Sequence, residues 1–161
     1  MSKIVAESIP QKKSLSRLLA VQAIFQMEAS GNSLMETKSE FEKYRAKTEI
    51  DGVYYKNFNV RYFRNLLETA VSEQKNIDKL VNKTLMETWK LPRIDPTIRA
   101  IFRIASSELI IKAAPQKVII NEYLRLSEAF STNEKQNGIV NAVLESLAKH
   151  YASKDSLENQ S

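Results

Sequence analysis

The chain of 161 residues contains only three glycines and four prolines, and this scarcity of backbone breakers limits its fold most strongly. All-β domains need frequent tight turns, which glycine and proline largely supply. Long helices joined by a few connections need far fewer breakers. Apolar residues make up 43% of the chain, enough for a buried core and too many for a disordered protein. The sequence therefore predicts an all-α protein.

Apolar residues recur at helical spacing in six or seven segments, and no segment has a convincing strand pattern. Ser14 is expected to cap the first helix, and Asp95 with Pro96 to start the fifth. Ser131–Gly138 is predicted to be a polar link before the last helix. The predicted helices cover about residues 15–29, 33–47, 59–73, 77–89, 96–113, 116–130 and 139–151.

The chain is predicted to have a basic arm, one helical domain of two subdomains, and a polar tail. Pro10 and its polar neighbours argue against helix in the arm, and a polar terminus is expected to fray. The predicted bounds are 1–13 for the arm, 14–152 for the domain (subdomains about 14–75 and 76–152) and 153–161 for the tail.

Several kinds of chemistry are excluded by residue type. The chain has no cysteine and a single histidine, His150, so disulfides, thiolate or multi-histidine metal sites and cysteine nucleophiles are excluded. No glycine-rich phosphate loop or hydrolase motif occurs. We therefore predict a protein that is not an enzyme and that uses no cofactor or metal.

The N-terminal segment has no apolar run of signal-peptide length. No stretch approaches the roughly 18 uninterrupted apolar residues of a membrane-spanning helix. These two features predict a cytoplasmic protein that does not contact a membrane.

Most of the net charge of +5 lies near the N-terminus. Residues 1–20 carry Lys3, Lys12, Lys13 and Arg17 against Glu7 as the single acidic residue. A basic segment that runs into a helix is one way to contact a polyanion such as RNA. The alternative interpretation is a solvated chain terminus.

Arg99 and Arg103 lie four residues apart on one predicted helix face and, with Arg93, are candidates for phosphate contact. The alternative is pairing with carboxylates such as Asp95 and Glu108.

Phe25 lies one turn beyond Gln22 on the predicted first helix. An aromatic side chain close to a basic segment can stack on a base of single-stranded RNA. The alternative for Phe25 is a place in the core.

Five segments resemble, in the same order, motifs of the NusB family. The most specific is Pro115-Gln-Lys-Val-Ile-Ile-Asn-Glu122, which is similar to the family pattern Pro-x-Lys-Val-Ala-Ile-Asn-Glu. The other four are Arg17–Met27, Tyr62–Leu67, Arg99–Leu109 and Val140–Leu144.

The resemblance implies a fold of two perpendicular three-helix bundles with one added helix. It implies two binding partners: single-stranded boxA RNA of ribosomal RNA leader transcripts, and NusE, which is ribosomal protein ten of the small subunit. The implied role is to help assemble an antitermination complex on RNA polymerase, with no reaction catalysed.

The resemblance also implies site residues. The candidates for RNA binding are Lys12, Lys13, Arg17, Phe25, Arg99, Glu134, Lys135 and Ile139. The candidates for partner binding are Gln22, Phe25 and Ile98. Phe25 stands where the family commonly has tyrosine, and Ile98 where it often has an acid.

Two alternative functions are open. Similar domains precede the catalytic part of some ribosomal RNA cytosine methyltransferases, but a chain of this length without cysteine is not expected to be that whole enzyme. The other alternative is a helical adaptor that binds only proteins.

Overall fold

The computed structural model describes residues 9–43, 49–50, 53–54, 58–85 and 93–159 of the chain. These residues form seven α-helices and one pair of two-residue strands, so the predicted all-helical class is confirmed. The elements are α1 (Ile9–Ser30), α2 (Leu34–Lys43), β1 (Glu49–Ile50), β2 (Val53–Tyr54), α3 (Val60–Ser72), α4 (Gln74–Thr84), α5 (Pro96–Ile111), α6 (Gln116–Phe130) and α7 (Glu134–Asn159).

The two strands pair antiparallel, with Glu49 opposite Tyr54 and Ile50 opposite Val53. The sequence has no convincing strand pattern here. A segment of two residues is too short to show the alternating pattern that identifies a strand.

Helix α1 begins at Ile9, earlier than predicted. Pro10 is tolerated because its missing N–H falls in the first turn, where backbone N–H groups lack intrahelical partners. Ser14 therefore lies inside the helix, and the prediction that it caps the helix is wrong. Its hydroxyl instead donates a hydrogen bond of 3.1 Å to Glu122 on α6.

Local capping signals fix the start of α5 as the sequence predicted. The Asp95 carboxylate accepts a hydrogen bond of 2.7 Å from the Thr97 backbone N–H, and Pro96 occupies the first turn. The helix ends at Ile111, and the capping residue Lys112 adopts a left-handed conformation with φ of 55°. Helix α6 has the predicted bounds.

Helix α7 is longer than predicted at both ends. It starts at Glu134, where the Asn133 side chain accepts a hydrogen bond of 3.1 Å from the Gln136 backbone N–H. Gly138 is therefore helical, and the predicted link is shorter. The helix continues to Asn159, through most of the predicted tail. The predicted end of α4 near Pro92 lies outside the described residues, and α4 ends at Thr84.

Helix α5 is the central element of the fold. It contacts α1, α3, α4, α6 and α7, and every residue from Ala100 to Leu109 is buried. Around it, α1 packs on α2 and α3, while α7 packs on α4 and α6. A helix that is surrounded in this way must place its polar side chains against internal partners. Glu108 and Arg103 of α5 therefore belong to buried polar networks rather than to the surface.

Candidate nucleic-acid interface

The exposed basic residues predicted near the N-terminus lie on the first turns of α1. Lys12 and Lys13 are both exposed. The Lys13 ammonium lies 5.4 Å from the ring centroid of Tyr62 on α3, within the range of a cation–π contact. Because they extend from a helix, these two lysines have a more defined position than charges on the predicted arm would have.

Arg17, the third predicted basic contact, is only 3% exposed. Its Nε and Nη2 each lie 2.8 Å from an oxygen of the Glu108 carboxylate, which is fully buried. A guanidinium held in this way has little capacity left for a phosphate, so its position argues against direct RNA contact. Charge along the sequence does not reveal a partner 91 residues away.

Glu108 also accepts hydrogen bonds from two tyrosines. The Tyr62 hydroxyl donates at 2.6 Å and the Tyr123 hydroxyl at 2.7 Å. The side chains come from α1, α3, α5 and α6, so one carboxylate joins four helices. We call Arg17, Tyr62, Glu108 and Tyr123 the Glu108 cluster.

Burial and charge within the Glu108 cluster shift the pKa values of its tyrosine and arginine side chains. Burial raises the pKa of Tyr123, and the Glu108 charge raises it further, so the phenol stays protonated. Burial acts to lower the pKa of Arg17, but hydrogen bonding to Glu108 and its charge outweigh that effect and raise it. The cluster therefore contains a charged guanidinium and protonated phenols around a buried carboxyl group, and it serves as internal structure.

Glu122, which belongs to the most specific motif of the chain, extends this arrangement. Besides the hydrogen bond from Ser14, its carboxylate lies 3.7 Å from Nη1 of Arg17. It is thus an internal hydrogen-bonding residue that fixes α6 against the start of α1.

An apolar groove of about 330 Å³ opens beside the second half of α1. Phe25 on α1 and Phe130 at the end of α6 line it and are 40% and 49% exposed. The exposure of Phe25 argues against a place in the core, the alternative that the sequence left open. Thr97, at the start of α5, completes one wall. Exposed aromatic rings in a groove are typical of a binding surface.

Gln22 also lines this groove and brings an unsatisfied polar atom. Its Oε1 is buried and accepts no hydrogen bond from the described part of the chain. A buried acceptor without a partner costs roughly 1–3 kcal/mol. A bound molecule that supplies a donor would remove this cost.

Ile98, predicted to contact a protein partner, is only 1% exposed and belongs to the core. Thr97 lines the groove, whereas the next residue along α5, Ile98, packs inward. The buried position argues against direct partner contact by Ile98.

Arg99 and Arg103 pair with carboxylates, which is the alternative that the sequence left open. Arg103 donates to Glu28 at 2.7 Å and to both oxygens of Asp78 at 3.0 Å. Arg99 donates to Glu28 and, at 2.7 Å, to the Ile94 carbonyl. The sequence suggested Asp95 and Glu108 as the paired carboxylates. In the structure the paired carboxylates are Glu28 and Asp78 instead. The hydrogen bond from Arg99 is the main cause that lowers the pKa of Glu28.

The remaining candidates lie on the first turns of α7. Glu134 and Lys135 are exposed and Ile139 is partly buried. The preceding turn is fixed because the Asn137 amide donates to the Ser131 carbonyl at 3.0 Å. These residues therefore follow directly after Phe130 and the groove in the chain.

Sequence reasoning missed Phe130, Thr97 and Glu108 as parts of this region. The exposure of Phe130 has a weak signal, since it is the last apolar residue before the polar turn at Ser131. None of the helices in the described ranges is both long and apolar enough to cross a membrane. No group of three or more possible metal ligands occurs among these residues.

Comparison with known proteins identifies the family. The NusB family model matches residues 14–149. The transcription antitermination protein NusB of Bartonella tribocorum is 40% identical over 86% of this chain and 88% of its own length. The protein of that name from Brucella abortus (strain S19) is 39% identical over 85% of this chain and 80% of its own.

The fold comparison agrees with the sequence comparison. A crystal structure of antitermination factors NusB and NusE in complex with double-stranded RNA contains a chain that matches with a TM-score of 0.71 and 22% identity. The match covers 88% of this chain and 98% of that one. On the family match and the identity to curated relatives, the chain belongs to the NusB family.

Proposed function

We propose that the protein is an RNA-binding transcription antitermination factor that acts by binding and catalyses no reaction. It binds the boxA element of leader transcripts, mainly of ribosomal RNA operons, together with the ribosomal protein NusE. The resulting complex helps to assemble antitermination factors on RNA polymerase in the cytoplasm. The names of the curated relatives and the solved complex of NusB, NusE and RNA support this proposal.

The observation that carries the proposal is the arrangement of α1. Two exposed lysines lie on its first turns, and the apolar groove lies beside its second half. Lys13 and Phe25 are separated by about 18 Å along the helix, at 1.5 Å per residue. One helix thus offers a surface for phosphates and a separate surface for a protein or a base.

We assign the lysines to RNA and the groove to the protein partner. Lys12 and Lys13 present ammonium groups, which suit phosphates but carry no base code. The groove offers Phe25, Phe130 and the unpaired acceptor of Gln22, which suit an apolar side chain and one hydrogen-bond donor. Glu134, Lys135 and Ile139 follow the groove along the chain and are assigned to RNA contact.

The test is the salt dependence of RNA binding. A boxA-type RNA is titrated against the protein at several salt concentrations, with NusE present. Each phosphate contact to a single strand contributes about 0.7 to the slope of log affinity against log salt. The variant Lys12→Ala/Lys13→Ala is therefore expected to lower the slope by about 1.4. Lys43→Glu, at an exposed residue of α2, removes the same net charge and should leave the slope nearly unchanged.

Titration without NusE separates the proposal from the protein-binding adaptor. Two ligands that cooperate must tighten the binding of each other by the same factor. The corresponding coupling free energy is typically about 1–3 kcal/mol. Tighter RNA binding in the presence of NusE supports the antitermination factor. Equal RNA affinity with and without NusE, together with an unchanged salt slope in the lysine variant, would favour the adaptor.

A further inference from the structure

A second groove, of about 440 Å³, lies between α4, the C-terminal end of α5 and α7. Lysines and a histidine line its rim, while Leu80, Leu109 and Tyr151 lie along its walls. The rim residues are Lys79, Lys83, Lys112 and His150. The groove takes no part in the α1 surface described above.

The charged side chains along this groove are mainly positive. Lys79 and Lys83 lie one turn apart on α4 and are both exposed, and Lys75 continues the stripe one turn earlier. None of these three lysines forms an ion pair with the described residues. Among the described residues, Glu73 is the one carboxylate that lines the groove. Like charges four residues apart destabilise a helix slightly, so the stripe does not serve the stability of α4.

The opposite rim of the groove carries aromatic surface. His150 is exposed, and its ring contacts the partly buried ring of Tyr151 edge to face, with centroids 5.2 Å apart. An exposed planar ring beside lysines is a combination that single-stranded RNA-binding surfaces use, because lysines contact phosphates while rings stack on bases. An acidic protein segment would be matched by the lysines but would gain nothing from the ring.

The second groove is far from the first one along α5. Thr97 lines the first groove and Lys112 the second. Fifteen residues of helix between them correspond to about 22 Å.

We propose that this second groove binds the phosphate backbone of single-stranded RNA that flanks the element held at α1. The protein then holds a transcript at two places, at the first turns of α1 and at the second groove. The inference rests on the proposed function, since it needs an RNA ligand, but it concerns separate residues. Lys79 and Lys83 rise about 6 Å relative to each other along α4, enough for each to meet its own phosphate.

The experiment compares two RNAs in the presence of NusE. The short RNA is a boxA-type element of about 12 nucleotides, and the long RNA carries in addition oligouridine of about 15 nucleotides on each side, enough to reach the second groove. The unmodified protein should bind the long RNA more tightly and with a steeper salt dependence. Lys79→Ala/Lys83→Ala should lower the slope for the long RNA by about 1.4 and leave the short RNA unaffected.

Lys43→Glu is the matched control for net charge, and thermal unfolding checks that the variants remain folded. Equal slopes for the two RNAs in the unmodified protein would overturn the inference. So would a Lys79→Ala/Lys83→Ala slope for the long RNA that matches the control. Displacement of the long RNA by polyglutamate, more readily than by oligouridine of equal charge, would also overturn it and assign the groove to an acidic protein.

The same titrations distinguish failure of this inference from failure of the proposed function. If the short RNA binds and its slope depends on Lys12 and Lys13, the proposed function stands whatever the second groove does. If the short RNA does not bind but the long RNA binds through Lys79 and Lys83, the second groove stands and the boxA proposal fails.

Discussion

Replacing Glu108 by glutamine tests whether the Glu108 cluster holds α1 in place. Glutamine keeps the size of the side chain but removes its charge and turns one oxygen into an N–H donor. Arg17 would remain charged and buried, with Glu122, 3.7 Å away, as its one remaining carboxylate among the described residues. The hydroxyls of Tyr62 and Tyr123 would compete for a single acceptor oxygen.

The expected loss follows from burial on both sides of the pair. Glu108 is 0% and Arg17 3% exposed, so water cannot replace the missing partner. Removing one member of such a pair typically costs about 3–5 kcal/mol. A domain of this size has a total stability of about 5–15 kcal/mol. With a urea slope of about 2 kcal/mol per molar, Glu108→Gln should lower the denaturation midpoint by roughly 2 M.

A double-mutant cycle isolates the pair itself. Arg17→Met leaves the carboxylate without its cation, and Glu108→Met leaves the guanidinium without its anion, so each single change is costly. The double variant removes both charges and should cost clearly less than the two single changes together. Adding Tyr123→Phe removes the hydroxyl that would otherwise lose its acceptor.

The free energy of unfolding of all these variants is measured by urea denaturation, with circular dichroism as the signal. Costs that add within about 0.5 kcal/mol would show that the two residues do not interact. A loss below about 1 kcal/mol for Glu108→Gln would show that the cluster is not the buried network described above. Either result would refute the reasoning.

Two further predictions concern single aromatic residues. Phe25→Ala and Phe130→Ala should each cost about 1–2 kcal/mol of stability, against roughly 3–5 for a buried phenylalanine. Each change should also weaken NusE binding as measured by calorimetry. A larger loss of stability with normal NusE binding would show that the ring belongs to the core. The raised pKa of Tyr123 predicts that stability is fully present below pH 10 and falls above it by about 1.4 kcal/mol per pH unit, because only the unfolded chain releases that proton. Tyr123→Phe should flatten this fall in urea titrations, and an unchanged fall would assign it to other groups.

The fold was predictable where a local signal decides it. Asp95 followed by Pro96 defines a helix start within two residues, and the bounds of α6 follow from Pro115 and the apolar spacing after it. The start of α1 was not predictable from Pro10, because proline is unfavourable inside a helix but acceptable in its first turn. Gly138 was predicted to belong to the link before α7, but it lies inside the helix. The cap supplied by Asn133 outweighs the low helix propensity of one glycine.

The candidate site was predictable only in part, because the role of a charge depends on distant neighbours. Sequence placed Arg17 with Lys12 and Lys13, yet only the fold brings Glu108 to it. Phe130 continues the apolar period of α6, but the helix ends beside an open groove that no described residue covers. The spacing of residues along a helix shows on which face of that helix a side chain lies. It does not show whether another helix packs against that face.

The arginines and lysines discussed above differ in their surroundings. The arginines with the most hydrogen bonds are partly or fully buried and donate to carboxylates or a carbonyl, while the lysines assigned to RNA are exposed. The arginines are Arg17, Arg99 and Arg103, and the lysines are Lys12, Lys13, Lys79 and Lys83.

This division has a consequence for RNA recognition. The planar guanidinium binds two acceptors in a fixed geometry, which suits a buried carboxylate, whereas an ammonium is a mobile point charge that suits phosphates. Contacts made by such lysines strengthen binding to any sequence and weaken with salt. Discrimination of boxA from other RNA must therefore come from elsewhere. The partner assigned to the groove at Gln22 and Phe25 can supply it, which is why RNA and NusE are proposed to bind together.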